Sequence, residues 1–454
     1  MTPHAAFHWL ICASLAVFAV SCFMSLNAAE RAFTPTDEII ANPGCGWECS
    51  AGFYPVFKDL CNVGAIYERV TWASIEPEEG KFTWGPLEFA AQTAEKAGIP
   101  FYFRIMCVNS YSGGPYDTPK WVFDKGAKSH PGEPSRIPKV VPEFDDPVFV
   151  AAHRRFIRAL AERYDGDPRL GGLDIGSYGN FGEWHVSGIG CGKEYWNRYS
   201  ASHRRPYAEM YVESFARAQL VAMTDDDETL GYLLSLGSSP RVGIRRDGVG
   251  SPWHFGRWIG TKPYDSIPRM GEVWKTQPIV LEFFSGAKDF IRKGWDIGNS
   301  VDWILANHAS LVHTIPFDPR QVKDDAKVMA EVRRIDRRAG ARIVPLRAEW
   351  SVDEAGRVQV RIEGRNDGVA PIILDYRLVY EARDAAGKAL GCWVSSANPR
   401  GWLPGPFAVR DTLASSGPLP NDMRLFVWLE SCGGRFRNFR FGVKECDDSG
   451  RLAL

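Results

Sequence analysis

From about residue 60 to residue 340, short apolar runs rich in β-formers alternate with amphipathic helical stretches, and this alternation constrains the fold more than any other feature. Residues 63–70 read as a strand, and residues 87–98 have helical spacing that stops on a glycine. The run PFYFRIMC at 100–107 is apolar at nearly every position, the pattern of a parallel strand buried on both faces. Further along, 148–164 reads as helix, 170–178 as strand, 208–224 as helix and 229–236 as strand. PIVLEFF at 278–284 is a second buried strand, followed by helix at 299–308, strand at 310–315 and a charged helix at 324–339. Repeated β-then-α units predict a parallel α/β architecture, and the length suits a (β/α)8 barrel better than a doubly wound sheet. Gly176, Gly179 and Gly182 are spaced G-x-x-G-x-x-G, which is not a dinucleotide fingerprint, and residues 188–193 lack the spacing of a phosphate loop.

After Ala341 the texture changes. Short alternating strands at 357–362, 376–382 and 425–430 are separated by turn signals at 366–368, 385–387 and 404–406, the pattern of a small antiparallel β-sandwich. At the other end, the apolar stretch 13–24 followed by small residues up to Ala29 reads as an export signal. Its first residues carry no Lys or Arg, and Cys22 follows a loose lipobox, so a lipid anchor there is the lesser alternative. The expected organisation is therefore 1–29 signal peptide, 30–340 barrel and 341–454 sandwich, in an exported (periplasmic or extracellular) protein with no membrane span.

A formal net charge of -1 leaves no basic field for a polyanion, which argues against a nucleic-acid partner. Eight cysteines follow the signal, an even number that permits disulfides in an exported chain, with Cys45/Cys49/Cys61 and Cys432/Cys446 the closest groups; buried free thiols are the alternative. Neither the cysteines nor the histidines have metal-ligand spacing, no G-x-S-x-G run supports a serine nucleophile, and no cofactor is expected.

In a barrel, function sits at the C-terminal strand ends. Arg69 lies near one such end, where a planar donor can order carboxylates. The glycine-rich segment 176–185 presents Tyr178, Asn180, Glu183, Trp184 and His185 after another strand, with glycines that let backbone approach a ligand. Glu282 ends an apolar run, where a lone carboxylate is costly unless paired or functional. Two carboxyl groups from separate strand ends suit glycoside hydrolysis, with one protonating the leaving oxygen and the other attacking or activating water. Retention calls for carboxyl groups about 5–5.5 Å apart and inversion for about 6.5–9.5 Å. Their environments are expected to push the two pKa values apart, the acid upward. Arg104, His185 and Asp247 are further candidates for contact with sugar hydroxyls, and Trp72 and Trp184 for stacking on a sugar ring, with core packing the favoured reading for Trp72. The long Pro/Gly/Lys-rich stretch 113–143 is expected to be a surface loop that shapes the site.

The run R-x-x-W-x-x-I-E-P-x-x-G-x-F-x-W from Arg69 to Trp84 resembles the second-strand region of clan-A glycoside hydrolases such as the β-galactosidase-like and cellulase-like barrels. The whole chain also resembles a poorly characterised bacterial group that joins such a barrel to a C-terminal sandwich, through Y-G-x-x-G-E-W-H at 178–185 and N-D-G-x-A-P at 366–371. The resemblance implies Glu183 as acid/base after strand four and Glu282 as nucleophile ending strand seven, with 229–236 as strand five and a carbohydrate as substrate. It departs from the clan pattern in one respect: Asn180 is separated from Glu183 by two residues where the clan places Asn next to the acid. The competing expectation is a carbohydrate-binding surface protein on a barrel that has lost catalysis.

Overall fold

The computed structural model describes residues 27–133, 138–190, 199–237, 241–252, 264–415, 417–420 and 422–454. The export-signal expectation up to residue 26, Cys22 included, lies outside them, as does Cys191.

Eight parallel strands close into a barrel: β1 Gly46–Cys49, β2 Val63–Thr71, β3 Phe101–Val108, β4 Leu170–Asp174, β5 Leu220–Met223, β6 Val242–Val249, β7 Ile279–Phe283 and β8 Leu311–His313, with β8 pairing back onto β1. Every residue of β3 is buried, because it meets the barrel interior on one face and helices on the other. Helices Gly85–Ala97, Pro147–Tyr164, Ala201–Ser214, Ile297–Ala306 and Ala326–Arg338 cover the outside. Three of them start where an aspartate satisfies free N–H groups: Asp146 accepts from Val148 and Phe149, Asp296 from Asn299, and Asp325 from Lys327 and Val328.

Strand five corrects the sequence reading. The strand is Leu220–Met223, inside the stretch expected to be helix, while residues 229–236 fall mostly in the helix Asp227–Ser235. Asp226 caps that helix by accepting from Thr229 N–H, and Leu230, Leu233 and Leu234 bury one helical face. A four-residue strand gives too short an apolar run to be told from helix by periodicity. The stretch 113–143 is also less of a loop than expected. It carries the short helix Lys120–Asp124 and the ribbon Ser129–Pro131/Val140–Pro142, and it is pinned by buried Asp117, which pairs with Lys139 at 3.3 Å.

Two four-stranded antiparallel sheets follow the barrel. One orders Asn27–Ala32, β9 Ile343–Val352, β10 Val358–Asn366 and β13 Gly405–Leu413. The other orders β12 Ala389–Val394, β11 Tyr376–Arg383, β14 Arg424–Ser431 and Leu452–Ala453. Ile343, Val360, Ile362, Leu378, Tyr380, Leu425 and Val427 pack between them as a second core, which makes the sandwich. The first strand of this sheet is Asn27–Ala32, so the chain contributes to the sandwich before it enters the barrel.

The sandwich sits on the N-terminal end of the barrel. Arg437 N–H donates to the Gly98 carbonyl before β3, Arg400 to the Thr276 carbonyl before β7, and His308, before β8, to the Val369 carbonyl. The opposite, C-terminal end is thereby left to the βα loops. No helix among the described residues is long and apolar enough to cross a membrane. Cys45, Cys49, Cys61, Cys107, Cys392, Cys432 and Cys446 are all free thiols, so the alternative to disulfides holds for the described cysteines.

Candidate active site

The barrel interior is built in layers. Deepest are Ala65, Tyr102, Val221, Val280 and Leu311, an apolar plug above the sandwich. One layer up, the sequence alternation places Glu48, Tyr67, Arg104, Asp174, Arg245 and His313 inward, each no more than 2% exposed. Asp174 is their hub: its Oδ2 accepts from Tyr67 Oη at 2.6 Å and Arg104 Nε at 2.8 Å, and lies 2.8 Å from Arg245 Nε. Arg245 reaches on to Glu48 at 2.7 Å. The Tyr67 ring lies beneath the guanidiniums, 4.2 Å from that of Arg245, where its π face faces positive charge.

At the mouth, Glu183, Asp247 and Glu282 converge, with one oxygen of each within 4.8 Å of the others. Arg104 binds Glu183 at 2.7 Å while its Nε holds Asp174, so one guanidinium ties the mouth to the layer beneath. Arg69 lies between the glutamates, 3.4 Å from Glu183 and hydrogen-bonded to Glu282. His185 Nε2 is 3.5 Å from the other oxygen of Glu183. Neither oxygen of Asp247 has a hydrogen-bond partner among the described residues.

Glu183 owes its place to a tightly wound loop. Ser177, Gly179, Phe181, Gly182 and Trp184 all have positive φ. Asn180 N–H donates to the His185 carbonyl and Trp184 N–H to the Tyr178 carbonyl, folding the segment back on itself. The glycines are required by this packing. A Cβ on Gly182 would lie 2.8 Å from the Ile105 carbonyl oxygen, and one on Gly179 would lie 2.3 Å from that of His185. The two residues between Asn180 and Glu183 form the turn that carries Glu183 back over the mouth.

The structure therefore gathers six of the sequence candidates: Arg69, Arg104, Glu183, His185, Asp247 and Glu282. It sets four apart. Trp72 is fully buried among Trp121, Phe149, His153 and Phe156. Trp184 donates to the Ile175 carbonyl at 2.6 Å, and Tyr178 packs on Phe144 and Tyr207. Asn180 is occupied by Ser110 and the Ser187 carbonyl. These are core and loop-bracing residues, because an apolar ring next to a strand end is drawn to the helix layer before it is offered to solvent. The exposed aromatics at this end are others. Tyr111, 89% exposed, stacks on Phe181 with centroids 5.4 Å apart, and Phe284 follows Glu282. Sequence reading also missed Glu48, Tyr67, Asp174, Arg245 and His313; the signal was present in the polar residues at alternate positions of Y-E-R and R-R-D within otherwise apolar strands.

Burial and neighbours set the charges unevenly. Burial alone would raise Glu183, but His185, Arg104 and Arg69 outweigh it and hold Glu183 well below the usual carboxylate range. Burial pushes Glu282 up to about 7, against the pull of Arg69 and with the charge of Glu183 adding to the rise. Asp247 is raised well above its ordinary value by burial and by both glutamates. Glu183 in turn raises His185 against the effect of burial. The expected split between the two glutamates is present with its sign reversed: Glu183, implied as the acid, is the anion. His313 is held neutral by burial and the surrounding arginines.

Glu183, Asp247 and Glu282 form the one group of three acidic, histidine or cysteine side chains among the described residues that is close enough to hold a metal ion. Arg69 and Arg104 already bring positive charge to two of the three, so the cluster fits proton and hydrogen-bond chemistry better than a divalent cation.

The fold and site define a (β/α)8 barrel with a carboxylate-and-arginine mouth, followed by a β-sandwich. No family profile and no curated protein matches the chain. Among solved structures it is similar to endo-glycoceramidase II from Rhodococcus sp., in a cellobiose-like imidazole complex. The identity is 12%, covering 85% of this chain and 100% of that one, with a TM-score of 0.41. Xylanase B from Clostridium stercorarium F9 is similar at 13% identity, over 59% of this chain and 85% of that one, with a TM-score of 0.34. A psychrophilic glycoside hydrolase family 10 endo-β-1,4-xylanase is similar at 12% identity over the same shares, also with a TM-score of 0.34. These likenesses say nothing of this chain's own substrate.

Proposed function

We propose that this protein is an exported retaining glycoside hydrolase acting on an oligo- or polysaccharide through Glu183 and Glu282. One observation carries the reading: two glutamates from the loop after β4 and the end of β7 meet with oxygens within 4.8 Å at the C-terminal mouth. Oxygens brought that near one another support direct attack on the anomeric carbon, where an inverting pair spreads its carboxyl groups to about 6.5–9.5 Å to seat a water. The bond from Arg69 orients Glu282 as the attacking group and leaves Oε1 for the sugar. Glu183 faces it as acid/base, and Tyr111 stacked on Phe181 offers a flat apolar surface at the rim. In the resting site, Glu183 beside Arg104 holds no proton of its own, so the acid step draws on another group in the mouth.

A specific observation favours the second reading, a carbohydrate-binding protein without turnover: each glutamate already has an arginine partner. A panel of aryl glycosides and oligosaccharides separates the two. Hydrolysis that falls about 10²–10⁴-fold in Glu183→Gln and Glu282→Gln supports the enzyme. Calorimetric sugar binding that survives both substitutions, with no turnover in the unaltered protein, supports the binder. Turnover unchanged in both variants ends the assignment.

A further inference from the structure

We infer that Asp247 is a third functional carboxyl, a neutral carboxylic acid that stores the proton the site needs. The inference rests on the hydrolase reading for its use, and on geometry for its existence. Among the described residues the two glutamates each receive an arginine, but Asp247 receives none, and both its oxygens are buried and without hydrogen-bond partners. Among the described residues the charges acting on it are Glu183 after β4, Glu282 on β7, Arg69 on β2 and Arg104 on β3, with His185 beside Glu183 and Arg245 two residues back on β6 beside Glu48. Ionised, Asp247 would be an unpaired anion between two anions, an arrangement that buried groups avoid by taking up a proton.

The charge count leads to the same place. The interior holds five carboxyl groups (Glu48, Asp174, Glu183, Asp247, Glu282) against three guanidiniums (Arg69, Arg104, Arg245), an excess of two negative charges. A protonated His185 beside Glu183 removes one. One proton on a carboxyl removes the other, and Asp247 is the carboxyl with no competing cation. The direction of its titration, well above the ordinary aspartate, agrees.

The stored proton has a destination. As the glycosidic bond breaks, the proton of Asp247 passes to Glu183 and from Glu183 to the leaving oxygen, so that both carboxyls end the step as anions. Water that opens the glycosyl-enzyme intermediate loses one proton to Glu183, and that proton restores Asp247. The count closes over the cycle, and no group outside the cluster is needed.

Asp247 acts through Glu183, so the test is spectroscopic. Infrared difference spectra of the full chain are recorded at mildly alkaline pH, where Glu282 is ionised. The proposal expects a protonated carboxyl C=O band in the unaltered protein, shifted down in D2O, absent in Asp247→Asn and titrating at lower pH in Glu282→Gln, where one of the two neighbouring negative charges is gone. Asp247→Ser serves as the second variant, with a smaller demand on space. A wild-type-minus-Asp247→Asn spectrum without the band overturns the inference. With an active substrate in hand, Asp247→Asn also lowers kcat about 10²-fold at little change in KM. The outcomes stay separable: a band without turnover sinks the hydrolase reading and keeps the proton on Asp247, while turnover without the band does the reverse.

Discussion

Replacing Asp174 with asparagine tests whether the charged layer beneath the mouth is one interdependent unit. The substitution preserves size and removes one charge from a group that is 1% exposed. It also turns one acceptor oxygen into an N–H donor among Tyr67 Oη, Arg104 Nε and Arg245 Nε, which all approach the same side of the residue within 2.6–2.8 Å. Of its carboxylates Arg104 then keeps Glu183, and Arg245 keeps Glu48. Removing one partner of a buried, hydrogen-bonded pair costs about 3–5 kcal/mol, because the remaining charge stays buried and uncompensated. At roughly 2–4 °C per kcal/mol for a domain of this kind, the midpoint of thermal unfolding falls by about 6–20 °C. The direction of pH dependence is also fixed. The arginines hold the Asp174 carboxyl below its ordinary value against the pull of burial, so its stabilisation is present above the unfolded value near pH 4. It is lost as the pH falls through the folded value, and the gap between wild type and Asp174→Asn narrows on acidification. Circular dichroism melts across pH measure both effects. A cycle with Arg245→Met adds a third: the double variant is less destabilised than the sum of the singles by at least about 1 kcal/mol. A midpoint within about 2 °C of wild type, or strict additivity at a cost of several kcal/mol per single, refutes the hub.

Gly182→Ala places a Cβ 2.8 Å from the Ile105 carbonyl at φ 66, so it destabilises by about 1–3 kcal/mol and displaces Glu183, and sugar turnover or binding falls further than the melting point alone explains. Glu282→Gln changes the pH dependence of stability in a defined sense. Glu282 is raised to about 7, so its contribution is complete below the unfolded value near 4.3 and is lost as pH rises through 7, and the wild-type advantage over Glu282→Gln shrinks over that range in urea titrations. Tyr111→Ala weakens sugar affinity with little change in melting temperature, while Trp184→Phe loses the bond to the Ile175 carbonyl, costs about 0.5–1.5 kcal/mol and leaves affinity unchanged; the reverse pattern would restore Trp184 as the stacking platform.

Much of the barrel was legible because parallel strands buried on both faces leave unbroken apolar runs, as at β3 and β7. β5 was not, since four apolar residues carry no period, and the leucines of the helix after it imitate a strand when read without their aspartate cap. The carboxylates were legible for a related reason: a glutamate inside PIVLEFF or beside a glycine cluster stands out against its surroundings. What sequence could not show was charge state. That depends on which arginine reaches which oxygen across the barrel, and Arg69, Arg104 and Arg245 come from β2, β3 and β6. Trp184 misled because the same ring serves a sugar or a helix layer, and only burial tells them apart.

The layering explains how one barrel carries so much buried charge. A row of arginines and carboxylates is a weak source of stability, since desolvation offsets most of its attraction. Here it rests on an apolar layer, Ala65, Tyr102, Val221, Val280 and Leu311, and the sandwich closes the end below. Stability is thereby supplied at one end of the barrel, and the other end can keep an excess of acid over base. That excess makes a proton on Asp247 the least costly state of the resting site. A change that neutralises a mouth carboxylate should accordingly relax Asp247 toward an ordinary aspartate: in Glu183→Gln, its infrared carboxyl band titrates at lower pH than in wild type. A titration unchanged by Glu183→Gln would mean that burial alone, without the neighbouring glutamates, holds the proton there.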